Sequence, residues 1–295
     1  MRLAFLGTPR AAVPTLEALL EAGHDVALVV TRPDRRRGRG GALEPSPIKR
    51  CALEHGLPVT SRLADVLDAG VERGVVVAYG ALVPPAVLAA VPMLNVHFSL
   101  LPRWRGAAPV ERAILAGDEE TGVTIITLEE TLDTGPVHAS SAVAIDDKDA
   151  TALTDELAGL GARLLVGVLA DPAALAHARP QVGEATYAKK LTRAERALDP
   201  SATAATSARV VRLGGAYLEC DGRRLLVERV APSALALAAG TVALVEGRVV
   251  LGVADGALEL IEVRPAGRAS MSAAAWWRGR RAGAATWSSG AGDPL

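Results

Sequence analysis

"MRLAFLGTPRAAVPTLEALLEAGHDVALVVT", residues 1–31, changes its hydrophobic period twice, and those changes decide the fold. "RLAFLGT" is a short apolar run closed by Gly7. "PRAAVPTLEALLEAGH" then spaces its apolar residues as a helix does, with Thr8 and Pro9 at its start and Gly23 at its end. "DVALVVT" returns to strand character, so a strand, a helix and a strand fit within about thirty residues, the unit of a parallel sheet. Further along, "GVVVAYG" (74–80), "MLNVHFS" (93–99) and "GVTIITL" (122–128) read as strands. "PPAVLAAV" (84–91) and "APVERAILAG" (108–117) read as helices. The alternation predicts an α/β domain with a doubly wound, mostly parallel sheet over residues 1–189.

Beyond residue 189 the texture changes. "AYLECDGRRLLVERVAP" (216–232) and "GTVALVEGRVVLGVADGALELIEVRPAG" (240–267) are short alternating runs punctuated by DG, EG and ADG, which are hairpin signals. A linker is expected over 190–205 and a small β-barrel over 206–282. Residues 283–295, "GAATWSSGAGDPL", lack periodicity and are expected to form a poorly ordered tail.

A chain of 295 residues suits two domains, and a composition of 50% hydrophobic and 22% charged residues with net charge −1 is that of a globular protein. Such a balance singles out no class of partner. The apolar start is too short for a signal peptide, and no run reaches the roughly 18 residues of a membrane span. A cytoplasmic monomer without membrane contact is expected. Cys51 and Cys220 lack ligand-like spacing, so neither a disulfide framework nor a zinc site is indicated.

Polar groups concentrate in "NVHFSLLPRWRGAAP", residues 95–109. Side chains alternate along a strand, so Asn95, His97 and Ser99 share one face and Val96 and Phe98 the other. The face lies near a strand's carboxyl end, where ligands bind in open parallel sheets. A carboxamide beside an imidazole suits acyl-group chemistry, one donating to an oxyanion and the other moving a proton. Asp133, in the turn-like "LDTG" after the next strand, is the acid best placed to join them. A histidine satisfied inside a mixed core, with an aspartate serving its own turn, carries equal weight on these residues alone. No G-x-S-x-G, H-E-x-x-H, Walker loop or dinucleotide fingerprint occurs. A separate cluster, "RPDRRRGRG" (32–40), crowds Arg32, Arg35, Arg36, Arg37 and Arg39 into a Gly-rich loop, suited to phosphate oxygens or simply to water.

Taken together, "LAFLGTP" (3–9), "TRPDRRRGRG" with "PSPIK" (31–49), "VVVAYGALVP" (75–84), "NVHFSLLPRWRGAAPVERAILAGDEETGVTI" with "LDTG" (95–135), "TYAKKLTRAE" (186–195) and "RPAGRASMSAAAW" (264–276) closely resemble the methionyl-tRNA formyltransferase family. The resemblance runs in order over most of the chain. It implies a Rossmann-like formyltransferase domain followed by an OB-like barrel. Implied with it is formyl transfer from 10-formyltetrahydrofolate, as co-substrate, to the amino group of methionyl-initiator tRNA, without a metal. By the same resemblance Asn95, His97 and Asp133 are catalytic, and Ser99, Leu100, Leu101 and Pro102 contact the folate. Tyr79 and Gly80 fall on the pterin side, and Arg32, Arg35, Arg36, Arg37 and Arg39 on the segment that enters the tRNA acceptor stem. Phe98 stands where a small residue is common, which should alter packing. Two rivals remain: a formyltetrahydrofolate-dependent transferase with another amine acceptor, and an RNA-binding protein on an inactive formyltransferase scaffold.

Overall fold

The first strand, β1 (Arg2–Gly7), ends at a glycine because nothing larger fits there: a Cβ would lie 2.8 Å from the Phe5 ring and 3.2 Å from the Val77 carbonyl. Thr8, Pro9 and a 3₁₀ turn (Arg10–Ala12) then lead into the first helix. The structure is a computed structural model that describes residues 1–36, 41–280 and 283–290. The chain divides into two compact units. One holds Met1–Arg112, Glu119–Asp146 and Ala152–Lys190; the other holds Ala113–Asp118, Asp147–Thr151 and Leu191–Leu295.

After β1 come α1 (Val13–Glu21), β2 (Asp25–Val30), β3 (Arg35–Arg36), β4 (Leu43–Glu44), α2 (Pro47–Glu54), β5 (Val59–Thr60), a 3₁₀ segment (Leu63–Asp68), β6 (Arg73–Val77), α3 (Pro85–Ala90) and β7 (Met93–His97). They are followed by β8 (Arg105–Gly106), α4 (Pro109–Ala116), β9 (Glu120–Thr127), β10 (Val137–Ala144), α5 (Ala150–Ala170), α6 (Pro172–Ala176) and β11 (Tyr187–Ala188). Seven strands form one sheet in the order β10-β9-β7-β6-β1-β2-β5. From β7 to β5 every pairing is parallel, as a doubly wound sheet requires. Strand β9 runs antiparallel to β7, pairing Asn95 with Ile126 and His97 with Thr124. A short strand-like run such as "GVTIITL" carries no sign of its direction, and only the register reveals it.

Strand β7 is buried along its whole length, and alternation sorts its side chains. Val96 faces α5, where Gly161 makes the fit: a Cβ at 161 would approach Val96 Cγ1 to 2.6 Å and Val123 Cγ1 to 3.2 Å. The Phe98 ring lies 3.7 Å from the same point, so this large residue is absorbed by packing under α5. Asn95 and His97 are thereby turned to the opposite face. Gly161→Val is expected to cost about 1–3 kcal/mol, because overpacking a close helix–sheet contact outweighs the few tenths gained from helix propensity. A lower urea midpoint at unchanged m-value would show it, and an unchanged midpoint would mean that α5 can retreat freely.

In the second unit, a 3₁₀ turn (Ala194–Arg196) leads to α7 (Ala204–Arg212), then β12 (Ala216–Cys220), β13 (Arg223–Ser233), β14 (Thr241–Val245), β15 (Arg248–Val253), β16 (Gly256–Pro265), β17 (Met271–Ser272), α8 (Ala273–Arg278) and β18 (Ala285–Ser288). The order β13-β12-β18-β14-β15-β16 closes on itself through a β13–β16 pairing, giving a six-stranded antiparallel barrel. Its tight turns use left-handed backbone at Asp221–Gly222 and Glu246–Gly247, as the DG and EG signals require. Two expectations are corrected here. The stretch expected as a linker contributes Leu198, 1% exposed, to the barrel core, where its N–H donates to Tyr217 O at 2.8 Å. Within the expected tail, β18 pairs with both β12 and β14, and Trp287, 4% exposed, donates its indole N–H to Gly252 O at 3.2 Å. One aromatic side chain orders a segment whose composition reads as polar and small. Among the described residues no helix is long and apolar enough to cross a membrane.

Candidate active site

The side chains that β7 turns away from α5 open into a cavity of about 490 Å³. Apolar residues, among them Val76, Leu82, Val83, Leu128 and Leu132, make most of its wall, and Asn95, His97 and Asp133 supply its buried polar end. This volume and this mixture are those of a small-molecule site. Leu82 and Leu132 are 76% and 50% exposed, so the rim of the cavity is apolar too.

Asp133 reaches the site from a loop that folds back over β7. Its backbone is left-handed, with φ 54°, and Gly135 follows where a Cβ would collide with Thr127 O. One carboxylate oxygen, Oδ2, accepts the Gly106 N–H at 2.8 Å and stands 3.7 Å from His97 Nδ1. The other, Oδ1, accepts from Asn95 Nδ2 at 3.4 Å. His97 Nε2 lies 2.9 Å from Trp104 O. A carbonyl oxygen only accepts, so the ring proton of neutral His97 belongs on Nε2, and Nδ1 is the atom turned to Asp133.

Several residues that the sequence did not single out hold this arrangement. Gln181 donates through Nε2 to Asp133 O at 2.8 Å and Gly135 O at 2.9 Å, while its Oε1 accepts from Arg105 Nη2 at 2.6 Å. Strand β8 pairs with β11 so closely that a Cβ at Gly106 would lie 2.8 Å from Ala188 O, which fixes the N–H that Asp133 needs. Trp104 N–H donates to Thr186 Oγ1 at 2.9 Å, pinning the carbonyl that orients His97. Gln181 lies in "ARPQVGEATY", a stretch with no periodicity or motif of its own. Only the three-dimensional path of the chain brings it under Asp133. Gln181→Ala is expected to lower kcat by about 10–100-fold with little change in KM, the usual scale for an outer partner that orients a reacting group. Wild-type kcat in that variant would show that the loop holds itself.

Tyr79 and Gly80 line the cavity. Burial pushes the Tyr79 phenol up, against a smaller opposing effect of Arg32 nearby. Ser99, Leu100, Leu101 and Pro102 are not among the residues that line it. Ser99 Oγ donates to Arg103 O at 2.6 Å, and its carbonyl accepts from Thr124 Oγ1 at 2.7 Å. Leu100 packs against Gly122, and Leu101 opens on a different cavity with His138, His177 and Arg179. The strand has already ended there, so alternation no longer predicts direction. These four residues lie in the turn that leads to Trp104, whose carbonyl meets His97.

Within the arginine segment, β3 pairs antiparallel with β4 through Arg35–Glu44 and Arg36–Leu43, and Lys49 Nζ lies 2.7 Å from Asp34 Oδ2. Arg32 and Arg35 line a recess of about 290 Å³ with Thr8, Pro9 and Ser46, and Ala78, Tyr79 and Gly80 belong to both this recess and the main cavity. Arg36 is exposed. Arg37 and Arg39 lie outside the described residues.

Residues 1–169 match the formyl transferase family and residues 188–281 match the formyl transferase C-terminal domain, so both parts of the chain define a formyl transferase. It is 44% identical to a methionyl-tRNA formyltransferase of Heliobacterium modesticaldum, over 96% of this chain and 98% of that one. To the enzyme of the same name from Novosphingobium aromaticivorans it is 46% identical, over 95% and 97%. The chain belongs to the methionyl-tRNA formyltransferase family. Among solved structures, HypX of Aquifex aeolicus with tetrahydrofolic acid superposes with a TM-score of 0.67 at 18% identity, a likeness of fold that covers 94% of this chain and 46% of HypX. The chain thus spans about half the length of the HypX chains it matches.

Proposed function

We propose that this protein transfers a formyl group from 10-formyltetrahydrofolate to the amino group of methionyl-initiator tRNA, giving N-formylmethionyl-tRNA. The observation that carries the reading is the convergence of Asn95, His97 and Asp133 on one cavity in a chain this similar to enzymes of that name. The cavity suits a flat heteroaromatic folate, with apolar walls for its faces and polar groups at one end for the formyl carbon.

In the reaction the neutral methionyl amine attacks the formyl carbon, a new N–C bond forms, and the carbonyl electron pair moves onto oxygen. An amide nitrogen has two N–H groups. Asn95 uses one toward Asp133 and has the other for the oxyanion. Asp133 and His97 Nδ1 form the proton-handling pair: the proton lost by the amine passes through them to the departing folate nitrogen as its C–N bond breaks. Trp104 O holds Nε2 throughout, so the imidazole does not turn. No step calls for a metal. The enzyme works as a cytoplasmic monomer on this reading.

Arg32 and Arg35, whose recess shares a wall with the cavity, receive the phosphates of the acceptor arm, with Arg36, Arg37 and Arg39 alongside. Ser99 to Pro102 act on the folate through the turn they build. Replacing Arg35 and Arg36 with alanine is expected to weaken tRNA binding and to reduce its salt slope by up to about 0.9 for each phosphate that is no longer neutralised. An unchanged slope would remove the arginine segment from the interface. The direct test of function is formylation of methionyl-initiator tRNA by the purified protein with 10-formyltetrahydrofolate. Turnover with that acceptor supports the reading, and turnover only with a different amine overturns it.

A further inference from the structure

Away from the catalytic cavity, three side chains with metal-binding atoms meet between the first two helices. Cys51 lies on α2 and His55 caps its end, four residues on, so the two share one face. The His55 N–H donates to Cys51 O at 3.2 Å, which keeps that turn helical between them. Glu17, on α1, stands opposite. A thiol sulfur, an imidazole nitrogen and a carboxylate oxygen lie within 4.8 Å of one another.

Among the described residues no hydrogen bond or ion pair occupies these three side chains. The donor set itself discriminates. Sulfur and imidazole nitrogen suit Zn²⁺ and related transition metals, whereas Mg²⁺ and Ca²⁺ seek oxygen. Cys51 is held in the core, 6% exposed, while Glu17 and His55 are exposed and can rotate to close a tetrahedron on it.

We infer that Cys51, His55 and Glu17 form a binding site for a zinc-class divalent cation, with a fourth position open to water, that ties α1 to α2. None of the three lines the catalytic cavity, so the reaction does not depend on the metal. Helix α2 follows the arginine segment directly and carries Lys49, the partner of Asp34. A metal here would brace the helix that carries Lys49. Thirty-four positions separate Glu17 from Cys51 in the sequence, and no ligand-spacing pattern spans such a gap.

The test uses the full-length protein stripped with chelator, then titrated with Zn²⁺ by calorimetry and with Co²⁺ by absorption. One Zn²⁺ per chain, a thiolate-to-cobalt charge-transfer band, and a melting midpoint that rises with free Zn²⁺ are expected. His55→Ala and Glu17→Gln, both at exposed positions, should weaken Zn²⁺ binding by more than the roughly 10–100-fold that loss of an outer partner costs. Cys51→Ser should abolish the cobalt band. Formylation activity should persist in all three and serves to show that each is folded. Failure of the wild type to take up one equivalent would overturn the proposal. So would wild-type affinity in His55→Ala, a result that decides the matter even if Cys51→Ser does not fold.

Discussion

His97→Ala should lower kcat by about 10²–10⁴-fold, the usual contribution of a positioned proton-transfer group, while the affinities for folate and tRNA stay close to wild type. The variant should remain folded. Removing the imidazole leaves Trp104 O and one Asp133 oxygen without their present neighbour, a cost of about 1–3 kcal/mol against a typical stability of about 5–15 kcal/mol. Single-turnover formylation measured beside equilibrium folate binding separates the two effects. Retained binding with lost turnover places His97 in the chemical step. Parallel loss of both would make it a structural residue whose absence collapses the cavity.

A second large effect is expected at Asn95. If Asn95 donates to the oxyanion as proposed, truncation to alanine should cost about 10²–10³ in kcat, or roughly 2.7–4 kcal/mol. KM should hardly move, because the bond to the oxyanion exists only once charge has developed on the formyl oxygen. Asn95→Asp keeps the shape but turns the donor into an acceptor and sets a second carboxylate where Asp133 Oδ1 is only 3.4 Å away. Like charges at that separation repel, so the aspartate should be at least as damaging as the alanine. A raised KM at unchanged kcat in either variant would show that Asn95 merely holds substrate in its ground state.

The sequence disclosed those parts of the site that obey a period. Asn95 and His97 share a face because strands alternate, and β7 is a strand throughout. Gly23 closed the first helix, and DG and EG located two barrel turns, because left-handed backbone selects its residues. Where the chain leaves regular structure, that logic stops. Ser99 to Pro102 lie beyond the end of β7, and alternation along the strand does not predict that Ser99 bonds Arg103 O, that Leu100 packs on Gly122 or that Leu101 opens on a second cavity. Gln181 and Gly106 act on Asp133 across segments distant in sequence, and no local pattern encodes such a meeting. Strand β18 escaped notice because its stability comes from two neighbouring strands and one buried indole, rather than from its own alternation.

Because β18 lies between β12 and β14, the barrel is a ring whose last link is joined some seventy positions after its first. Local hairpins can form early, but the ring has to wait for a pairing across most of the domain, a slow kind of contact. A ribosome that stalls or a protease that cuts before residue 285 would leave β12 and β14 with bare edges, able to recruit another chain in place of the missing strand. In this protein the state of a four-residue segment near position 287 therefore distinguishes a finished molecule from an adhesive one.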